Sequence, residues 1–315
     1  MEYPIDPELA VAVEMLPRLD FDNPNESRAM LRKLASQLAP PDSSGVTISE
    51  QVVPGPTDGL EIPVRLYRPL TPSGPVGVLD LHPGGFVVGD LDLDHVSNLT
   101  IAREVGAVVV SVDYRLAPEH PYPAALEDSY AALRWFADNA ERLRVDPTRI
   151  AIHGVSAGGG LCAALGHLAR DRGGPAITFQ CLGMPELDDR MQTASIAEFT
   201  DTPMLTSSAV ASSWNAYLGA GVPGTSNVSA YAAPARATDL SGLPPAYVSV
   251  MAFDPLRDEG IAYALALQSA GNQVELHMFP GTFHASAMVE HAAISQRELA
   301  EKITVLRRGL GVTVE

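Results

Sequence analysis

The chain has 315 residues, 46% of them apolar and 19% charged, and its 21 basic against 38 acidic side chains give a formal charge of −17. That composition excludes an extended disordered protein, and at about 150 residues per domain it leaves room for one large α/β unit with an insertion. The carboxylate excess repels phosphate backbones and anionic lipid, so the expected partner is a neutral or cationic small molecule, with no nucleic acid and no membrane.

The opening stretch MEYPIDPELAVAVEMLPRLD carries acids where a secretory signal would be basic, and no later segment holds 18 uninterrupted apolar residues. A cytoplasmic location is the expectation. Cys162 and Cys181 lie in apolar surroundings without metal-ligand spacing and read as buried small hydrophobes. No internal repeat or low-complexity tract interrupts the chain.

Apolar, β-branched runs predict strands near 47–53, 61–68, 76–82, 107–113, 149–155, 176–183, 246–252 and 273–279. Apolar positions recurring every third and fourth residue predict helices near 122–140, 158–171, 258–270 and 286–309. Runs such as AVVVSVDY and AYVSVMAF are apolar on both faces, which requires helices above and below the sheet. Strand followed by helix, repeated, predicts a mostly parallel eight-stranded sheet in an α/β fold. Residues 1–45 and 187–228 depart from the alternation and together predict a helical cap, leaving 46–186 and 229–315 as the two parts of the core. The second cap segment holds Met191, Phe199, Met204, Leu205, Trp214 and Tyr217, adaptable and aromatic groups suited to a pocket wall or to packing the cap on the sheet.

Gly154-Val155-Ser156-Ala157-Gly158 follows the strand RIAIH and precedes the helical GGLCAALGHLARD. Its glycines permit a sharp strand-to-helix turn that holds Ser156 in a strained conformation above the sheet edge, with helix N–H groups aimed at the same spot. A serine hydroxyl needs a base and a group to orient that base. Asp254 follows the strand at 246–252 and His284 follows the one at 273–279, each at a strand's carboxyl end. The order Ser, Asp, His is the one an α/β-hydrolase sheet produces. Asp258 and Glu259 read as acids in the first turn of the next helix, and the other seven histidines as structural or surface groups without metal spacing.

Acyl transfer also needs donors for the oxygen that becomes negative. His82-Pro83-Gly84-Gly85-Phe86 ends the strand GVLDL, and its glycines let backbone N–H groups approach a substrate. The N–H groups of Gly84, Gly85 and Ala157 are the candidate oxyanion hole, whereas Pro83 has none to give.

Taken together these motifs resemble the bacterial hormone-sensitive-lipase family of carboxylesterases, family IV, over almost the whole chain. HPGGF resembles HGGGF, the run from Tyr114 to Ala125 resembles YRLAPEHPFPAA, and GVSAGGG resembles GDSAGGN. MPELDDR, YAAPARATDLSGLPP and DPLRDEGIAYAL look especially like bacterial heroin-esterase-type enzymes. The resemblance implies an α/β-hydrolase fold with Ser156 as nucleophile, His284 as base, Asp254 as its partner, and Gly84, Gly85 and Ala157 as oxyanion donors. It also implies short-acyl esters as substrates and a homodimer paired through an edge strand such as 273–279. Two departures stand out. Pro83 replaces the first glycine of the triplet, and Val155 replaces the usual Asp before the nucleophile, removing a polar group that helps hold the loops.

The expected activity is therefore ester hydrolysis through an acyl-serine, with no metal or organic cofactor because nucleophile, base and oxyanion donors all come from the chain. Phe86, Met184, Leu205 and Trp214 are candidates for lining the substrate pocket. An amide-cleaving serine hydrolase and a non-catalytic binder on the same fold stay open as other readings.

Overall fold

The computed structural model of the chain describes residues 3–37 and 39–312. Helices α1 (Pro7–Ala10) and α2 (Pro24–Gln37) precede strands β1 (Val46–Pro54), β2 (Glu61–Pro69) and β3 (Gly77–Leu81). Next come α3 (His95–Thr100), which continues as a π turn over Ile101–Val105, then β4 (Val108–Val112), α4 (Ala124–Asp138) and the one-turn α5 (Ala140–Leu143). β5 (Ile150–Val155) leads directly into α6 (Ala157–Asp171), and β6 (Phe179–Gly183) is followed by α7 (Ala194–Glu198) and α8 (Ser207–Leu218). The chain closes with β7 (Ala246–Phe253), α9 (Arg257–Ser269), β8 (Val274–Phe283) and α10 (Ala293–Gly309).

All eight strands form one sheet in the order β1-β2-β4-β3-β5-β6-β7-β8. β1 pairs antiparallel with β2 and β2 with β4, while every pairing from β4 to β8 is parallel. Helices cover both faces, so the predicted α/β-hydrolase architecture is the one observed. The cause is legible strand by strand. β3, β4 and β6 are buried along their whole length, and the period of two sends alternate residues to opposite layers. Leu79, Val110, Ile152 and Val248 pack with Leu133, Phe136 and Leu165 of α4 and α6 on one face. Val78, Val109 and Ala151 pack with Ile101, Val105, Val305 and Leu306 on the other.

That second face also carries a row of polar side chains in register. Asp80 of β3 lies opposite Ser111 of β4 and His153 of β5. Its carboxylate accepts from His153 Nδ1 at 2.7 Å, from Asn98 Nδ2 at 2.7 Å and from Ser111 Oγ at 3.3 Å, and all four residues are buried. A buried carboxylate is tolerated when its lone pairs are filled in this way.

Several element limits differ from the sequence reading. The strand expected from 176 begins at Phe179, and the one expected to end at 279 continues through Pro280 and Gly281 to Phe283. The expected helix 286–309 is a 3-10 turn at Ser286–Met288, a break, and then α10 from Ala293. At the break Glu8 of the N-terminal segment accepts from Ala293 N–H at 2.6 Å, satisfying the helix start from a partner 285 residues away. The helical stretch His95–Val105 was not among the predicted helices; its apolar face is visible once Leu99, Ile101 and Val105 meet the sheet. Both cysteines are free and buried, as expected. Among the described residues no helix is long and apolar enough to cross a membrane.

Replacing Asp80 with Ala should remove about 3–5 kcal/mol of unfolding free energy, because it leaves His153, Asn98 and Ser111 without their acceptor in the interior. Urea denaturation of parent and variant measures it directly.

Candidate active site

Ser156 occupies the single residue between β5 and α6, at φ 59° and ψ −123°. Few non-glycine residues tolerate a positive φ, and its neighbours must give way. A Cβ on Gly158 would lie 1.9 Å from the carbonyl oxygen of Leu81, one on Gly154 would meet the Gly158 main chain at 2.4 Å, and one on Gly160 would lie 2.1 Å from the carbonyl oxygen of Glu186. The turn is also pinned by hydrogen bonds, from Ser156 N–H to Gly183 O at 2.8 Å and from Glu186 N–H to Ser156 O at 3.1 Å.

The three residues singled out as nucleophile, base and orienting acid meet. His284 Nε2 lies 3.0 Å from Ser156 Oγ, and His284 Nδ1 lies 2.7 Å from Asp254 Oδ2. An ionised carboxylate can only accept, so Nδ1 carries the proton and Nε2 is free to take one from the hydroxyl. Asp254 Oδ1 accepts from Leu256 N–H at 2.9 Å, which fixes the carboxylate at the end of β7. Asp254 is fully buried, whereas Ser156 and His284 keep 5% and 7% of their surface.

Gly84 and Gly85 both take positive φ, 126° and 59°, and a Cβ on Gly84 would lie 2.1 Å from the Val88 carbonyl. Their N–H groups, and that of Ala157 at the first position of α6, have no acceptor among the described residues. Free donors on a glycine loop beside a helix start can serve an oxyanion.

The profile of a family described as an alpha/beta hydrolase fold matches residues 78–288. Esterase LipI of Mycobacterium tuberculosis is 43% identical over 279 residues, covering 87% of this chain and 85% of that protein. Carboxylesterase NlhH of the same organism is 42% identical over 292 residues, covering 89% and 88%. A solved structure titled Bacterial Heroin Esterase superposes with a TM-score of 0.94 at 48% identity, covering 98% of both chains. This chain belongs to the α/β-hydrolase family. Within it, the protein is a carboxylic ester hydrolase of the family IV, hormone-sensitive-lipase-like type.

In this esterase the glycine loop is braced from three sides. His82 Nδ1 donates to Pro83 O at 2.7 Å, its ring stacks on Tyr114 at 4.1 Å, and the Tyr114 hydroxyl donates to His82 O at 2.7 Å. Burial pushes the His82 imidazole below its ordinary pKa and keeps it neutral. Arg28 of α2 donates to Val87 O, Ala117 O and the Glu119 carboxylate. The YRLAPEH stretch thus supports the loop through Tyr114 and, by way of Arg28, Ala117 and Glu119, and a histidine read as merely structural shapes it.

The four predicted pocket residues divide. Phe86, Leu205 and Trp214 share the main core, with Phe86 stacked on Tyr217 at 4.0 Å and 5.6 Å from Trp214. Met184 lies in a separate cluster with Met251, Phe279 and Val155. Its sulfur accepts from Ala285 N–H at 3.2 Å, beside His284. Val155, where the family has Asp, is therefore part of an apolar clamp that holds the histidine loop in place of a polar one.

Asp258 and Glu259 lie in the first turn of α9, as expected, and their side chains also reach across to the 187–195 segment. Asp258 accepts from Ser195 N–H at 2.8 Å, and Glu259 from Leu187 N–H at 2.6 Å. The sequence reading passed over Glu186, a buried carboxyl immediately before this same segment.

Gly158→Ala should lower ester turnover at least 100-fold, since a methyl 1.9 Å from the Leu81 carbonyl cannot be housed without moving the turn. Initial rates on p-nitrophenyl acetate, with circular dichroism confirming the fold, check this.

Proposed function

We propose that this esterase hydrolyses small, short-acyl carboxylic esters through an acyl-serine intermediate, with Ser156 as nucleophile, His284 as general base and Asp254 as the group that orients it. The observation that carries the reading is the unbroken run of hydrogen bonds from Ser156 through His284 to Asp254. Ser156 Oγ bonds to the ester carbonyl carbon as His284 Nε2 takes its proton, and the oxyanion is held by the N–H groups of Gly84, Gly85 and Ala157. The imidazolium, stabilised by Asp254, returns the proton to the departing alcohol. Water then attacks the acyl-serine with His284 again as base, releasing the acid and Ser156.

We take short acyl groups as the favoured class, with the buried aromatic cluster of Phe86, Trp214 and Tyr217 packing α8 against the glycine loop. Relatives include a protein titled Ethyl acetate hydrolase of Pseudomonas putida, 34% identical over 231 residues. We assign the cap to residues 1–45 and 187–228, whose described parts contribute α1, α2, α7 and α8. Two N-terminal contacts support it: Asp6 N–H donates to Gly281 O at 2.9 Å, and Leu9 packs on Phe283, the residue before His284. A second copy would pair along β8, the edge strand that exposes Leu276 and Met278; light scattering of Met278→Lys against parent tests that pairing.

Ser156→Ala should cut kcat by about 10⁶-fold and abolish fluorophosphonate labelling, while a purified variant with undiminished ester turnover would refute the mechanism. On acyl p-nitrophenyl esters the rate should fall steeply from acetate to octanoate. The matching anilide should be turned over far more slowly than the acetate ester; the reverse order would make the protein an amidase.

A further inference from the structure

Glu186 sits three residues past the end of β6, at the start of the cap segment, with 2% of its surface exposed. Both of its main-chain groups are tied to the nucleophile turn: its N–H donates to Ser156 O at 3.1 Å, and its carbonyl oxygen fills the space that a Cβ on Gly160 would need. One carboxyl oxygen accepts a short hydrogen bond from Ser213 Oγ of α8. No lysine or arginine among the described residues pairs with it, and the charges acting on it include those of His284 and Asp254. A buried acid without a cation is expensive to keep, and elsewhere in this segment the problem is solved: Asp188 is paired with Arg190, and Asp189 with Arg236.

We propose that Glu186 is a positioning residue of the esterase, a second carboxylate whose charge stabilises the imidazolium formed on His284 and whose link to Ser213 holds α8 over the nucleophile turn. The inference rests on the catalytic reading of Ser156 and His284. Its reasoning is electrostatic. Proton transfer from Ser156 creates a positive charge on His284 in a nearly sealed site, where a nearby carboxylate acts with little screening. The other groups facing Glu186 do not duplicate it. Asp254 already holds Nδ1, Tyr217 of α8 is a phenol that burial keeps neutral, and Glu259 of α9, whose carboxyl burial pushes well above the usual range, is engaged by the Leu187 and Asp188 N–H groups. Burial raises Glu186 itself to about 7, with the Ser213 hydroxyl and His284 opposing that shift.

The sign follows from these values. Below pH 7 Glu186 is neutral and contributes no charge; above it the ionised form assists His284. Folding responds in the opposite sense. An acid whose pKa is raised in the folded state binds more protons there than in the unfolded chain, so stability declines as pH rises from about 4.5 through 7.

The experiment compares parent and Glu186→Gln from pH 5.5 to 9, measuring kcat/KM for p-nitrophenyl acetate and the thermal midpoint. Glutamine keeps an acceptor for Ser213 but cannot ionise. The parent-to-variant rate ratio should be near 1 at pH 6 and rise to about tenfold at pH 8.5, with an inflection near 7. Over the same range the variant should become the more stable protein. In Ser213→Ala, which retains Glu186 but removes the bond favouring its ionised form, the inflection in the pH profile should move upward. A ratio that does not change with pH, whatever its size, overturns the proposal, as does an inflection unmoved in Ser213→Ala. Active Ser156→Ala would instead overturn the catalytic reading on which the proposal stands.

Discussion

The close approach of Gly158 to the Leu81 carbonyl sets the geometry of everything around the site. It lets the N-terminus of α6 press against the end of β3, so that the Ser156 turn and the Gly84–Gly85 loop share one edge of the sheet. Ser156 then has no relaxed conformation available. Its positive φ stores strain of order 1–3 kcal/mol, which is held by main-chain hydrogen bonds from Ser156 to Gly183 and from Glu186 to Ser156.

Charge is distributed in the interior according to duty. Within the sheet, both carboxylate oxygens of Asp80 accept from His153, Asn98 and Ser111, and burial depresses the His153 imidazole, so this group is a static brace across β3, β4 and β5. In front, Asp254 is anchored by one main-chain bond and gives its other oxygen to His284. His82, two residues beyond Asp80, stays neutral and shapes the glycine loop. The same residue types thus form a static brace within the sheet and a more sparsely bonded pair at the strand ends, separated by how completely their partners fill them.

The histidine loop shows how a family pattern can be altered and still close. Where relatives of this type carry Asp before the serine, Val155 joins Met184, Met251 and Phe279, and the Met184 sulfur receives the Ala285 N–H. Packing and one weak hydrogen bond replace a polar contact. The N-terminal segment completes the enclosure: Asp6 meets Gly281, Leu9 meets Phe283 and Glu8 caps α10, so residues at the start of the chain hold those around His284.

Much of this protein was legible in its sequence. Strand periods, two-sided apolar runs and the G-x-S-x-G turn identified a parallel sheet, a serine at a strand end, and an acid and a histidine in the right order, because each is a local consequence of backbone sterics or of burial on a sheet. What the sequence left open were the element limits and the partners. Glu8 ending the break before α10, Arg28 clamping the 117–119 loop and Glu259 reaching Leu187 are contacts across 285, 89 to 91 and 72 residues. Glu186 was invisible for the same reason: in MPELDD it is one acid among three, and only the fold ion-pairs Asp188 and Asp189 while leaving Glu186 buried beside the triad. Periodicity is a property of neighbours along the chain, whereas burial of a charge and the identity of its partner are decided only when distant segments meet.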